Sequence, residues 1–361
     1  MLHFHQLTIE DLRKETEDTV SVAFEITDDL KEKFQFIQGQ YLTLRKEING
    51  EDVRRSYSIC SGVEDGELRV AIKKVEGGRF STFANEELKK GDVLEVMPPM
   101  GKFYVPLAEA NANHYVAFAA GSGITPMMSI IKTTLIKEPN STFTLFYSNR
   151  TSASIIFREE LEDLKDRYMS RLRVFHLLSR EPSDVPLFSG RIDGEKCGKI
   201  CEKLIDPKEV AAYFICGPEP MIHAVSDTLK GVGVEENKIH FELFTSPVAG
   251  ALKQKEETKK ASKGTGKEMS QVEIILDGNH LQFELGYNGD NILDKALTKG
   301  ADLPFSCKGG VCCTCRAKLV EGEVEMDVNY SLEPDEVERG FILTCQAHPR
   351  SEKVVVDFDQ Q

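Results

Sequence analysis

Residues 303–315 read LPFSCKGGVCCTC, and the cysteine spacing in this stretch decides what the last part of the chain folds around. Cys307, Cys312 and Cys315 stand in a C-x4-C-x2-C pattern and Cys345 follows after a long interval, the plant-type spacing for a [2Fe–2S] cluster. Two irons need four thiolates and a loop that curls tightly with its N–H groups toward the sulfides, and Gly309 and Gly310 permit that curl. Zinc is the competing metal, but structural zinc prefers two C-x2-C knuckles and only one such pair is present. Taking Cys313 as a ligand breaks the spacing on both sides, so it is read as a non-ligand.

Upstream of this loop, VEIILDG and LQFEL read as a hairpin, and NILDKALTKG as a short helix capped by Asp290 and ended at Gly300. Residues 270–361 carry 17 acidic against 8 basic side chains, and the segments EGEVEMD and EPDEVE are candidates for steering this domain to a basic partner surface or for plain solvation. Residues 247–269, with KQKEETKKASKGTGKE, lack periodicity and bulky apolar residues; they read as a flexible linker with a reach of roughly 25–30 Å as a random coil.

The remaining residues divide by pattern. Residues 1–107 alternate β-branched and aromatic residues with turn signals (TVSVAFEIT, QYLTLRK, ELRVAIKKV, DVLEVMPP), which predicts a small antiparallel β-barrel. Residues 108–246 alternate apolar strands (YVAFAA, FTLFYS, RVFHLLS, AAYFICG) with helical segments (PMMSIIKTTLI, SIIFREELEDLK, KCGKICEKLI, PMIHAVSDTLK), which predicts an α/β doubly wound parallel sheet.

With 361 residues, 40% hydrophobic and 29% charged, the chain suits two or three globular domains. The net charge of −14 argues against nucleic acid as a partner. No run of 18 apolar residues and no signal-like start is present, so no membrane is expected and a cytoplasmic location is. Nine cysteines without such a signal read as reduced thiols or metal ligands. Cys197 and Cys201, four apart on a predicted helix, read as packing.

The chemistry-bearing motifs of the first two domains fit a flavin and a nicotinamide. In RSYS, Arg55, Ser56, Tyr57 and Ser58 offer a cation for phosphate, a ring for the isoalloxazine or ribityl chain, and a hydroxyl near flavin N5. In GGRFSTF, Gly77 and Gly78 allow close approach of a ligand, and Ser81 and Thr82 open a predicted helix whose N-terminus suits a pyrophosphate. In AAGSGITP, Gly121 and Gly123 form the turn for the dinucleotide pyrophosphate and Thr125 is placed near the nicotinamide. CGPEPM puts Cys216 and Gly217 at the end of another strand, where ligands of open sheets gather; a packed core thiol is the alternative for Cys216. Ser148, Arg150 and Arg158 follow the second strand of this domain, where basic side chains favour the 2′-phosphate of NADPH. NADH is the alternative, with Arg150 instead capping the strand or pairing with a nearby Glu such as Glu159 or Glu160.

In this order, RxYS, GGxxS, GSGxTP and CGPxxM resemble the ferredoxin–NADP reductase superfamily over residues 1 to about 245, and the last 90 or so residues resemble plant-type ferredoxins, a β-grasp α+β fold. The resemblance implies FAD in the barrel, NAD(P)H in the α/β domain, and Phe244, near Glu242, covering the flavin; ordinary packing before the linker is the alternative for Phe244. It implies an oxidoreductase, with Ser58, Thr125 and Cys216 as candidate catalytic residues, in which electrons pass from NADPH through FAD and the cluster to an external acceptor protein, as in the reductase components of multicomponent oxygenases. A redox-sensing or binding protein without turnover and a stand-alone NAD(P)H oxidase or ferric reductase are the competing readings.

Overall fold

The computed structural model describes residues 3–244 and 268–360. The linker expected over 247–269 lies almost wholly outside the described residues. Two compact units emerge: residues 4–53 with 57–244, and residues 268–360 with residue 3 and the strand segment 54–56.

The first unit opens with six strands, β1 (His5–Thr16), β2 (Thr19–Phe24), β3 (Tyr41–Ile48), β4 (Glu51–Ser58), β5 (Leu68–Lys73) and β6 (Val93–Val96), and the helix α1 (Arg79–Glu86). Their order is β4-β3-β6-β1-β2-β5, and an antiparallel bridge between Ile59 and Val70 joins the two ends, closing the sheet into a barrel. Alternation does the sorting: along β1, Leu7 and Ile9 point inward and meet Val22, Leu42, Val70, Ile72 and Phe80 in the barrel core. Each such side chain, fully buried, stabilises by roughly 1.5–3 kcal/mol.

A parallel sheet follows, built from β7 (His114–Ala120), β8 (Thr142–Asn149), β9 (Leu172–Leu178), β10 (Val210–Gly217) and β11 (Ile239–Leu243) in the order β11-β10-β7-β8-β9. The helices α2 (Ile124–Lys137), α3 (Arg158–Arg167), α4 (Gly194–Lys203) and α5 (Glu219–Gly231) are its crossovers. The strands are apolar on both faces: Tyr115, Leu145 and Phe214 join the core with α2 and α3, while Phe118, Phe146 and Phe175 stack on the other face. The chain winds outward in one direction from β7 to β9 and in the other from β7 to β10, so the carboxyl ends of β7 and β10 form the topological switch point. The helix expected over SIIFREELEDLK starts later than its sequence suggests. Phe157 adopts φ 59° and caps α3, so Ser154–Ile156 stay outside it.

Barrel and α/β sheet are tied by polar groups. The Glu138 carboxylate, fully buried at the end of α2, accepts from Ala108 N (3.0 Å), Asn111 Nδ2 (2.6 Å), Tyr115 Oη (3.0 Å) and Ser141 Oγ (2.7 Å). Four donors offset the cost of burying that charge and fix the connecting segment onto the sheet. Lys132 of α2, 8% exposed, pairs with Asp65 of the barrel at 2.8 Å and with Glu160 of α3.

The second unit holds β12 (Met269–Leu276), β13 (Asn279–Gly286), α6 (Ile292–Thr298), β14 (Arg316–Glu321), β15 (Val324–Met326), α7 (Pro334–Glu338), β16 (Phe341–Leu343), β17 (Ala347–Pro349) and β18 (Lys353–Asp357). The main sheet runs β13-β12-β18-β14-β16, with β12 and β18 parallel and its other neighbouring strands antiparallel, a β-grasp packed on α6. The β12–β13 hairpin turns at Asp277 and Gly278, at φ 53° and 70°, the conformation that Asp-Gly turns supply. One expectation is corrected here: α6 is capped by Asn291, whose side chain accepts from Asp294 N at 2.8 Å, and not by Asp290. Both residue types make good caps; only the backbone path decides between neighbours.

Candidate functional site

The barrel presents its two flavin motifs side by side. β4 carries Arg55, Ser56, Tyr57 and Ser58, and the Tyr57 ring lies 5.6 Å from that of Phe80 on α1, which draws RSYS and GGRFSTF together. The helix begins at Arg79 with Gly78 as its cap, ahead of the start expected at Ser81 and Thr82. A side chain at Gly78 has no room: an ideal Cβ falls 2.4 Å from Ser81 Oγ and from Val75 Cγ2. The Ser81 hydroxyl is used within this turn, accepting from Val75 N (3.2 Å) and donating to Gly78 O (3.3 Å), while Thr82 N donates to Gly78 O. What the turn offers a ligand is therefore its first-turn N–H groups, the donors a pyrophosphate needs. Half-buried Tyr57 completes a set that fits FAD.

At the switch point the two glycine turns of the α/β domain meet. Gly121 takes φ 54°, and its carbonyl accepts from Tyr147 Oη at 3.0 Å. An ideal Cβ on Gly123 falls 2.1 Å from the carbonyl oxygen of Cys216, and one on Gly217 falls 3.0 Å from Ala120 Cβ. The two turns thus pack backbone to backbone, a cradle that any side chain fills. Thr125 and Ser148 are buried; Thr125 Oγ1 donates to Ser122 O at 3.1 Å, so this hydroxyl shapes the turn. Arg150 and Arg158 are exposed at the end of β8 and the start of α3. Glu160, one of the acids considered for Arg150, is held by Lys132. A residue the sequence reading missed stands on this rim: Glu181 accepts from Ser152 N (2.8 Å) and Ser152 Oγ (3.1 Å).

Between barrel and sheet, Ser58 Oγ lies 3.0 Å from Glu242 Oε2. Cys216 and Glu242 are register partners in β10 and β11, so Ser58, Cys216 and Glu242 gather at one place. Burial pushes the Glu242 carboxyl up to about 7, partly opposed by the Ser58 hydrogen bond, and burial raises the Cys216 thiol well above its ordinary value. Cys216 is fully buried in the core cluster, as its packed alternative has it. Phe244, just past β11, is 42% exposed.

In the second unit the four thiols of the spacing argument come as two pairs. The Cys307 thiol interacts with that of Cys312, and the Cys315 thiol with that of Cys345. Gly309 N lies 3.3 Å from Cys307 Sγ, and Cys307 N lies 3.4 Å from Cys312 Sγ. The hydrogen bond with Cys312, helped by the N–H groups of the loop, pulls the Cys307 thiol down to about 6; the bond with Cys315 lowers Cys345. Among the described residues no group of three or more His, Cys, Asp or Glu side chains converges on a single ion. Two thiol pairs with N–H groups directed at sulfur are what two bridged irons require, so the donor set fits a [2Fe–2S] cluster. Cys313 points elsewhere: it sits at φ 51° and its Sγ donates to Ser331 O at 3.1 Å.

A barrel with a flavin cradle, a switch point with a dinucleotide cradle and a paired-cysteine loop define an electron-transfer flavoreductase. Comparison with known proteins agrees: residues 6–104 match the oxidoreductase FAD-binding domain, 118–227 the oxidoreductase NAD-binding domain and 274–350 the 2Fe-2S iron-sulfur cluster binding domain. The chain belongs to the ferredoxin–NADP reductase superfamily, among reductases with a C-terminal plant-type ferredoxin domain, and is an NAD(P)H-dependent oxidoreductase using FAD and a [2Fe–2S] cluster. It is 46% identical, over 99% of both chains, to one of the subunits of 1,2-phenylacetyl-CoA epoxidase from Escherichia coli K12. It is 33% identical to the ferredoxin reductase component of 3-ketosteroid-9-alpha-monooxygenase from Rhodococcus rhodochrous, over 98% of this chain and 96% of that one. The phthalate dioxygenase reductase structure shares the fold, with a TM-score of 0.60 at 24% identity over 98% of each chain. Among the described residues no helix is long and apolar enough to cross a membrane.

Proposed function

We propose that this reductase takes hydride from NADPH and supplies electrons, one at a time, to the oxygenase component of a multicomponent monooxygenase such as phenylacetyl-CoA epoxygenase, in the cytoplasm. The observation that carries the acceptor is the end-to-end likeness, without gain or loss of a domain, to one of the subunits of 1,2-phenylacetyl-CoA epoxidase. When bound, FAD accepts the two electrons of a hydride and the cluster relays them singly. The chain's own residues orient and tune. Arg55, Tyr57 and the N–H groups after Gly78 hold FAD; Gly121, Gly123 and Gly217 admit the dinucleotide; Ser58 and Glu242 hold a proton beside the place where the turns that carry Thr125 and Cys216 meet the nicotinamide; Phe244 covers the flavin. Cys307, Cys312, Cys315 and Cys345 ligate the irons. Arg150 and Arg158, with Ser148, favour NADPH over NADH.

Reconstitution tests the acceptor. Purified oxygenase component, phenylacetyl-CoA and NADPH are expected to give the epoxide only when this chain is added. Rapid NADPH oxidation with ferricyanide but no product with the oxygenase overturns the acceptor and points to a stand-alone oxidase or ferric reductase. No turnover with any acceptor points to a sensor.

A further inference from the structure

Beyond the four cysteines, the side chain of Gln346 addresses a cysteine sulfur of the cluster loop. The Gln346 amide nitrogen lies 3.4 Å from Cys345 Sγ and 3.1 Å from the carbonyl oxygen of Lys308. An NH2 group has two hydrogens, so both acceptors are served at once. Gln346 is 8% exposed, and its Cγ lies 3.4 Å from the point where a Cβ on Gly310 would stand, so packing against the loop aims the amide. Its second acceptor is fixed as well: Lys308 is tied through Nζ to Asp294 on α6 at 2.7 Å.

We propose that Gln346 is a positioning residue whose side-chain amide raises the reduction potential of the cluster by donating to the Cys345 sulfur, while its bond to Lys308 holds one thiol pair at a fixed distance from the other. The proposal rests on the ligand set given above. A reduced cluster carries one more negative charge than an oxidised one. A donor directed at a ligand sulfur therefore stabilises the reduced form more, and removing it makes reduction harder. Gly309 N and Cys307 N, which also approach cysteine sulfurs, are backbone groups that a changed side chain leaves in place. Gln346 supplies its donor from a side chain, so it can be removed without redrawing the loop. Cys345 keeps its place without that amide, because the neighbouring backbone is held independently: Thr344 N and Oγ1 both donate to Cys315 O (3.2 and 2.9 Å), and Gln346 N donates to Leu343 O at 2.9 Å.

The test is an EPR-monitored redox titration of the full-length holoenzyme and its Gln346→Leu and Gln346→Met variants, with iron content measured on each and the flavin potential as internal control. Wild-type protein with two irons per chain, lost in Cys312→Ser, secures the ligand set first; if that fails, the ligand set is wrong and Gln346 is not at issue. The expected result is a variant that keeps its iron and flavin potential but whose cluster midpoint moves negative, on the order of a tenfold fall in the one-electron equilibrium constant, about 59 mV. A fully loaded variant with an unchanged or more positive midpoint overturns the proposal. Loss of iron from both variants also overturns it, assigning Gln346 to assembly and not to tuning.

Discussion

Ser58 and Glu242, 184 positions apart, share a hydrogen bond of 3.0 Å that joins the last residue of the barrel strand β4 to the edge strand of the parallel sheet. Burial raises the Glu242 carboxyl from 4.5 to about 7. Below about pH 4.5 folded and unfolded chains both hold the proton, and no penalty arises. Between 4.5 and 7 the folded chain keeps a proton that the unfolded chain has lost, so stability falls as pH rises and the loss is complete above 7. Glu242→Gln in flavin-free protein is expected to flatten this slope, gaining about 1–3 kcal/mol over wild type at alkaline but not at acid pH. Urea unfolding across the window measures it; parallel pH profiles for the two proteins count against a half-buried, proton-holding Glu242.

The close approach of Gly123 to the Cys216 carbonyl predicts a selective defect. In Gly123→Ala the new Cβ must displace backbone at an initial 2.1 Å, costing about 1–3 kcal/mol at the cradle. Flavin content and visible spectrum are expected to persist while NADP⁺ binding, followed by difference absorbance, weakens at least tenfold. Unchanged binding removes this turn from the nucleotide site.

Cys312 and Cys313 are adjacent but face different partners. Cys312→Ser is expected to abolish or severely destabilise the cluster, whereas Cys313→Ser keeps the hydrogen bond to Ser331 O and leaves assembly intact. Iron analysis and the visible spectrum decide. The reverse pattern makes Cys313 the ligand.

Arg150 tests nicotinamide choice. Arg150→Glu is expected to raise KM for NADPH about ten- to a hundredfold, the worth of a charge-assisted contact of about 1.5–3 kcal/mol, and to raise that for NADH far less, with kcat nearly unchanged. Steady-state kinetics with both nucleotides gives the comparison. Equal effects, or a wild-type preference for NADH, take Arg150 out of the cofactor site and direct attention to Glu181.

The sequence by itself determined the three folds, the cofactors and the order of their sites. Strand alternation, the glycine turns and the C-x4-C-x2-C loop each act within a few residues, where chain geometry and side-chain chemistry are fixed by local spacing. Tertiary structure decided what depends on distant backbone paths. It set the Ser58–Glu242 bond, the packing of Gly123 on Cys216, and the pairing of Cys307 with Cys312 and of Cys315 with Cys345. It also decided which hydroxyls are taken: those of Ser81 and Thr125 lie in motifs expected to bind the cofactors, yet both are engaged in their own turns. The Glu242 shift is legible only in three dimensions, because a carboxyl's proton affinity follows the water it loses on burial, and that loss is set by strands far apart in the chain.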